Sequence, residues 1–160
     1  MTSSREVRRQ RSDSPWEEAI GAARAVAAGD RVIVSGTKPA PGGIGAGEDE
    51  PYEQALSAFG AALAALEPFG LGAADVVRTR MYLTHARDAD EVGRAHRELF
   101  GAAPPAATTV LVAGFVDSRV LVEVEIEAWA GAGGGAGRDG ADGADDADGA
   151  DGADEGEGAR

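Results

Sequence analysis

The segment VLVEVEIEAWA, residues 120–130, places Glu123, Glu125 and Glu127 at every second position. A β-strand turns successive side chains to opposite faces, so these carboxylates share one face with Leu121 and Trp129, and Val120, Val122, Val124, Ile126 and Ala128 take the other. Carboxylates this close repel unless water or cations reach them. The cations available on strand-forming segments are Arg78 and Arg80, in DVVRTRMYL, and Arg24. Two readings stay open: an ion-pair ladder at a subunit contact, or a functional site. His85 and His96 are far apart in sequence, and no acidic loop has calcium-binding spacing, so no metal site is expected. His96 follows Ala95 on the shoulder of an apolar helical stripe, where a packed, hydrogen-bonded ring is a commoner outcome than a general base. PGGIGAG, residues 41–47, lacks the Gly-Lys-Ser/Thr ending of a phosphate loop. The chain has no cysteine, which excludes thiol chemistry and disulfides.

The elements that must carry these residues follow from periodicity. Two short strands flank Gly29-Asp30 as a hairpin, the second spanning residues 31–35, with Arg24 two positions after Ala22 in the first. A Pro- and Gly-rich loop then leads to Pro51, suited to a first helical turn. From Pro51 to Leu66 the residues Tyr52, Ala55, Leu56, Phe59, Leu63 and Leu66 follow one apolar stripe. Pro68 and Gly70 stop that helix. In the next strand Val77, Thr79, Met81 and Leu83 alternate with Arg78, Arg80 and Tyr82. Asp88 with Glu91 forms a capping-box pattern, opening a helix that ends at Gly101 and buries Val92, Ala95 and Leu99. Residues 104–130 read as two apolar strands joined by a turn. The order strand, strand, helix, strand, helix, strand, strand is an α+β layer with two helices on one face, and its uncovered face calls for an oligomer.

Composition bounds the rest. Residues 131–160 hold nine acids against two arginines, a net of −7 out of the chain's −13. This Gly-Ala-Asp tail has nothing to bury and is expected to be disordered, as is the basic arm of residues 1–14. One domain over residues 15–130 is the natural folding unit. No secretory h-region or long apolar run is present, so a soluble cytoplasmic protein without membrane contact is expected. Trp16 has two open readings, lining a cleft or stapling the N-terminus to the domain, of which stapling is the commoner use of a lone aromatic, and it is assigned neither.

AARAVAAGDRVIVSGT, EQAL, DVVRTRMYLTHARDADEVGRAHRELFG, PAATTVLVAG and VEVEIEAWA together resemble, at five places and in the same order, the RidA (YjgF) family. The resemblance runs from Pro15 to Ala130. It implies a chorismate-mutase-like fold, a homotrimer with sheets packed toward the threefold axis, and small-molecule clefts between subunits. The family's best-known activity is hydrolysis of enamines and imines such as 2-aminoacrylate to a keto acid and ammonia, without a cofactor. Its Pro-Ala-Arg motif uses the arginine to grip a substrate carboxylate bidentately. Here Pro105 and Ala106 match, but Ala107 stands at the arginine's place.

The resemblance further implies that Glu125 positions the attacking water and that Ser35, Gly36 and Thr109 line the cleft. The family's aromatic Tyr falls on Ala22, and His96 takes a place near the subunit contact. Arg24 and Arg80 are the two candidates to replace the lost grip. Loss of a charge-assisted bidentate contact is worth about tenfold to a few hundredfold in binding, which argues against ordinary 2-aminoacrylate deamination. Two functions remain: hydrolysis of an imine, enamine or related reactive metabolite, or a non-catalytic module that binds a small molecule or a protein partner on the same trimer. Ribonuclease action, also attached to the family, conflicts with the net charge of −13 and the absence of clustered Lys and Arg in the folded part.

Overall fold

The computed structural model describes residues 6–41 and 50–131. The elements are β1 (Val7–Gln10), α1 (Pro15–Ile20), β2 (Ala25–Ala28), β3 (Arg31–Thr37), α2 (Pro51–Ala64), β4 (Val76–Leu83), α3 (Ala89–Phe100), β5 (Ala106–Leu111) and β6 (Val122–Trp129). From β2 onward they follow the order read from periodicity. The strands form one six-stranded sheet in the order β1-β2-β3-β6-β4-β5. Its pairs are antiparallel except β4 with β5, which run parallel with α3 as the crossover. α2 and α3 pack on one face, where Phe59, Phe100 and Leu66 close over Val34, Leu83, Val124 and Ile126. None of the described helices is long and apolar enough to cross a membrane.

Four expectations change. Residues 7–10 are not part of a disordered arm but form β1, whose backbone ladders onto the free edge of β2 from Val7–Ala28 to Gln10–Ala25. The gain is in main-chain hydrogen bonds, and the arginines stay exposed on the edge, so apolar periodicity gave no sign of it. Residues 104–130 are not a hairpin, because β4 lies between β5 and β6. Two apolar strands with a turn-rich link cannot by themselves reveal that a third strand inserts between them. Val76, rather than Val77, faces the core: β4 uses one extra residue against β6 between Val76 and Arg78, a bulge that turns Val77 outward. Arg24 and Ala22 precede β2 rather than lying in it, because α1 and its left-handed Gly21 cap occupy the preceding residues. The expected tail lies beyond the described residues, as does most of the loop at residues 41–47.

The helices keep their expected places with adjusted faces. In α2 the fully buried side is Gln54, Ala55, Ala58, Phe59 and Ala62, and Tyr52, Leu56 and Leu63 pack at its margin. The rotation has a polar cause. Gln54 Nε2 donates to Arg119 O at 2.9 Å, and Leu121 N donates to Gln54 Oε1 at 2.8 Å, pinning the helix to the chain entering β6. In α3 the capping box does not form, and Phe100 rather than Leu99 is buried with Val92 and Ala95.

Gln54 is an amide with no exposure that satisfies two backbone groups. Gln54→Leu keeps the volume and strands both partners, so the unfolding free energy should fall by about 1–3 kcal/mol. Urea unfolding should show this as a lower midpoint at unchanged slope; an unchanged midpoint would mean water satisfies the two groups.

Candidate functional site

The site is built where β3 breaks register. Val34 pairs with Ile126, but the next partner pair is Thr37 with Val124, so β3 spends one residue more than β6 across Ser35-Gly36. Thr37 consequently returns to the buried face and the carbonyls of Ser35 and Gly36 turn away from a regular ladder. Arg24 collects them. Its Nη2 donates to Ser35 O at 2.6 Å, Gly36 O at 3.1 Å and Thr37 Oγ1 at 2.7 Å, and its Nη1 lies 3.4 Å from Glu17 Oε1. Glu17, nearly buried, accepts through Oε2 from Ser12 Oγ at 2.8 Å and Ser12 N at 3.2 Å. Ser35 Oγ donates to Ala23 O at 2.7 Å. The bulge, α1 and the segment before β2 are thus one polar assembly.

A cleft of about 760 Å³ opens beside it. Ser35, Gly36, Lys38 and Glu123 line one side, Trp16 and Ile20 of α1 another, and Asp117 and Arg119 the rim. Trp16 and Ile20 are four apart and share a helix face. Glu123 reaches over Gly36 so closely that a Cβ there would push its carboxylate aside. Burial pushes the Glu123 carboxyl above its usual range, Glu125 adds to the rise, and Lys38 and Arg24 oppose it. At the rim Arg119 grips Asp117 through Nε at 3.0 Å and Nη2 at 2.7 Å, holding its carboxyl at about 2.

The glutamate row continues from the cleft along the open sheet face. Glu123 lies opposite Tyr82, Glu125 opposite Arg80 and Glu127 opposite Arg78 in the β4–β6 register. Arg80 Nη1 donates to Glu125 Oε2 at 3.0 Å, and Arg31 lies 3.7 Å from Glu127. The Tyr82 phenol is raised, first by burial and then by the Glu125 charge. Part of the face is therefore the ion-pair ladder expected as one of two readings, while Glu123 stands outside the pairs.

The residues singled out by sequence fall into three groups. Ser35, Gly36 and Arg24 line the cleft, but Arg24 serves as a clamp on backbone carbonyls. Glu125 and Arg80 are paired on the same sheet face, one strand position beyond Glu123. Ala107, Thr109 and His96 are elsewhere. Ala107 and Thr109 register with Thr79 and Met81, which face the helices, and β5 is three strand spacings from β3, about 14 Å. His96 bonds Thr79 Oγ1 through Nε2 at 2.8 Å and packs against Phe59 and Phe100, on the opposite side of the sheet from Glu125. It is a partly buried, hydrogen-bonded histidine packed in an aromatic cluster. Ile20, Lys38 and Glu123 were not read as site residues, although Glu123 shares the alternation of Glu125; Trp16, open between lining a cleft and stapling the N-terminus, is among the lining residues.

A family model described as Endoribonuclease L-PSP matches residues 17–130. The chain belongs to this family, the YjgF/RidA proteins. It is 59% identical over 126 residues to the uncharacterized protein SCO2049 of Streptomyces coelicolor, covering 79% of this chain and 94% of that one. Among solved structures it is similar to Rv2704 of Mycobacterium tuberculosis, a member of the YjgF/YER057c/UK114 family. That match has a TM-score of 0.70 and 34% identity and covers 78% of this chain and 99% of the other. PA3499 of Pseudomonas aeruginosa, a protein of unknown function, matches with a TM-score of 0.66 and 30% identity over 78% and 93% of the two chains. The match to the family model begins within α1, after β1.

Burial lowers the His96 imidazole below its ordinary value. The unfolded chain then binds the proton first on acidification: stability is full above about pH 6.5 and declines as pH falls toward the depressed folded value. His96→Leu should remove that part of the slope in thermal melts between neutral and mildly acidic pH. An identical slope in both proteins would place the titration at another group.

Proposed function

We propose that the protein hydrolyses an imine, an enamine or a related reactive metabolite that lacks a free carboxylate, in a small-molecule cleft completed at subunit contacts of a homotrimer. The observation that carries this reading is the continuity of the Ser35-Gly36 cleft with the Arg80–Glu125 couple through Glu123, in a chain of the YjgF/RidA family. Glu125, oriented by Arg80, accepts a proton from water as its oxygen adds to the C=N carbon. Glu125 passes that proton to the nitrogen, giving a carbinolamine; the carbinolamine hydroxyl then yields its proton through Glu125 to the nitrogen as the C–N bond breaks, and a carbonyl compound and ammonia leave.

Three features support the choice of substrate and assembly. Ala107 stands where the resemblance expects the carboxylate-gripping arginine, and both replacement candidates are engaged, Arg24 by carbonyls and Arg80 by Glu125. Within one chain Ala107 and Thr109 are strands away from the cleft, so they can join it only from a neighbouring copy. The open face also presents Ile33, Val110 and Trp129 beside its charges, apolar surface that a subunit contact would cover. The same occupancy of Arg24 and Arg80 favours a second reading, binding without turnover. Nucleic acid is disfavoured as a substrate by the net charge of −13.

Carbonyl release should be followed from an imine without a carboxylate and from 2-aminoacrylate generated in place by a dehydratase. Wild type should accelerate the first and leave the second near the buffer rate. Glu125→Gln should lower the first by about a hundredfold or more, and Ala107→Arg should raise the second by about tenfold to a few hundredfold. No acceleration by any form, with saturable ligand binding retained, would establish the binding reading instead.

Light scattering of the full chain should give about three times the 16.2 kDa of one copy. A monomer with full activity would rule out a cleft completed between subunits.

A further inference from the structure

The cleft is lined by three acids, Glu17, Asp117 and Glu123, and three bases, Arg24, Lys38 and Arg119, of which Glu123 and Lys38 stand outside the ion pairs. Arg24 is bound to Glu17 and to three acceptors of β3, and Arg119 is gripped by Asp117. Glu123 has neither a hydrogen bond nor a cation within 4.0 Å among the described residues, although it is half-buried. Lys38 lines the same cleft, but it is exposed and acts on Glu123 only at longer range. A carboxylate taken partly out of water and left unpaired is costly. Its backbone position is nonetheless held, since Val122 and Val124 on either side are buried in the core, and its carboxylate lies over Gly36, where a Cβ would push it aside. Facing it, Trp16 and Ile20 are 62% and 57% exposed, an aromatic and an aliphatic wall fixed in place by the Glu17 anchor of α1. The volume of about 760 Å³ is within the range of small-molecule sites.

We propose that Glu123 makes this cleft selective for cationic amines or iminium ions carrying an apolar body, the ammonium or iminium N–H donating to the Glu123 carboxylate and the body lying against Trp16 and Ile20. The inference deepens the proposed function, resting on the cleft as a small-molecule site, and names its ligand class. It also inverts the specificity expected of a cleft built around an arginine: with Ala107 in place of a cation, the half-buried charge outside the ion pairs is the Glu123 carboxylate, whereas the Lys38 ammonium, also outside them, is exposed. A cation in the site supplies the missing partner, and the surrounding low-dielectric wall strengthens that pair relative to water. Lys38 is the rival, since it would favour an acid.

The test uses three small probes with matched bodies, phenethylamine, hydrocinnamate and phenethyl alcohol, titrated into the full-length protein by ligand-observed NMR. The amine should bind about tenfold or more tightly than the alcohol and the acid. Glu123→Gln should bring the amine to the level of the alcohol, and a thermal melt of the variant like that of wild type reports an intact fold. Gly36→Ala, which keeps the charge but displaces the carboxylate, should erase the preference as well. The proposal is overturned if hydrocinnamate binds as well as the amine or better, if no saturable amine binding occurs, or if the amine preference survives in Glu123→Gln. Turnover plays no part in this readout. Amine binding without imine hydrolysis would sink the catalytic reading alone, and imine hydrolysis with acid-preferring binding would sink this one alone.

Discussion

The Arg24 guanidinium is the contact on which the cleft depends. One nitrogen holds the carbonyls of Ser35 and Gly36 and the Thr37 hydroxyl, and another faces Glu17 at 3.4 Å. A bulge in the third strand would otherwise leave its carbonyls without ladder partners, and the cost of unpaired buried backbone groups would favour closing it. By satisfying them, Arg24 keeps the extra residue in β3, and the extra residue turns Gly36 beneath Glu123. The same side chain ties α1 to the sheet through Glu17, which sets Trp16 and Ile20 at the cleft. Charge here acts as a structural fastener, which is why the cation is not available as a ligand grip.

The sheet separates two kinds of polar group. On the helix side Thr79 and His96 bond each other within an aromatic cluster, where burial lowers the imidazole below its ordinary value. On the open side the glutamates of β6 face arginines of β4, and the alternation of both strands makes the pairing register by register. Glu123 is the exception because its cross-strand neighbour is Tyr82, not an arginine. A one-residue change in register would have put all of these charges into the core, so the apolar alternation of Val122, Val124, Ile126 and Ala128 is what holds the glutamates outside.

Much of this was legible in the chain itself. The helices, the strand carrying Arg78 and Arg80, the shared face of Glu123, Glu125 and Glu127, and the α+β class all follow from periods of two and of three to four, because burying one face of a regular element leaves that period in the residues. The resemblance to YjgF/RidA proteins rests on motifs distributed from Pro15 to Ala130, and the family model spans nearly the same residues. The β1 strand was not legible, since Val7–Gln10 is stabilised by backbone pairing on an exposed edge that imposes little on side-chain type.

Sequence alone determined which faces are apolar, which residues carry charge and how strands alternate, because these are local consequences of side-chain type. Only the tertiary structure decided which strand lies beside which, and so that β4 separates β5 from β6, that Arg24 is occupied by carbonyls and that Glu123 has no cation within 4.0 Å among the described residues. Neighbours across a sheet are set by the packing of the whole layer, and a charge is a ligand group or a fastener according to what that packing brings within hydrogen-bond reach.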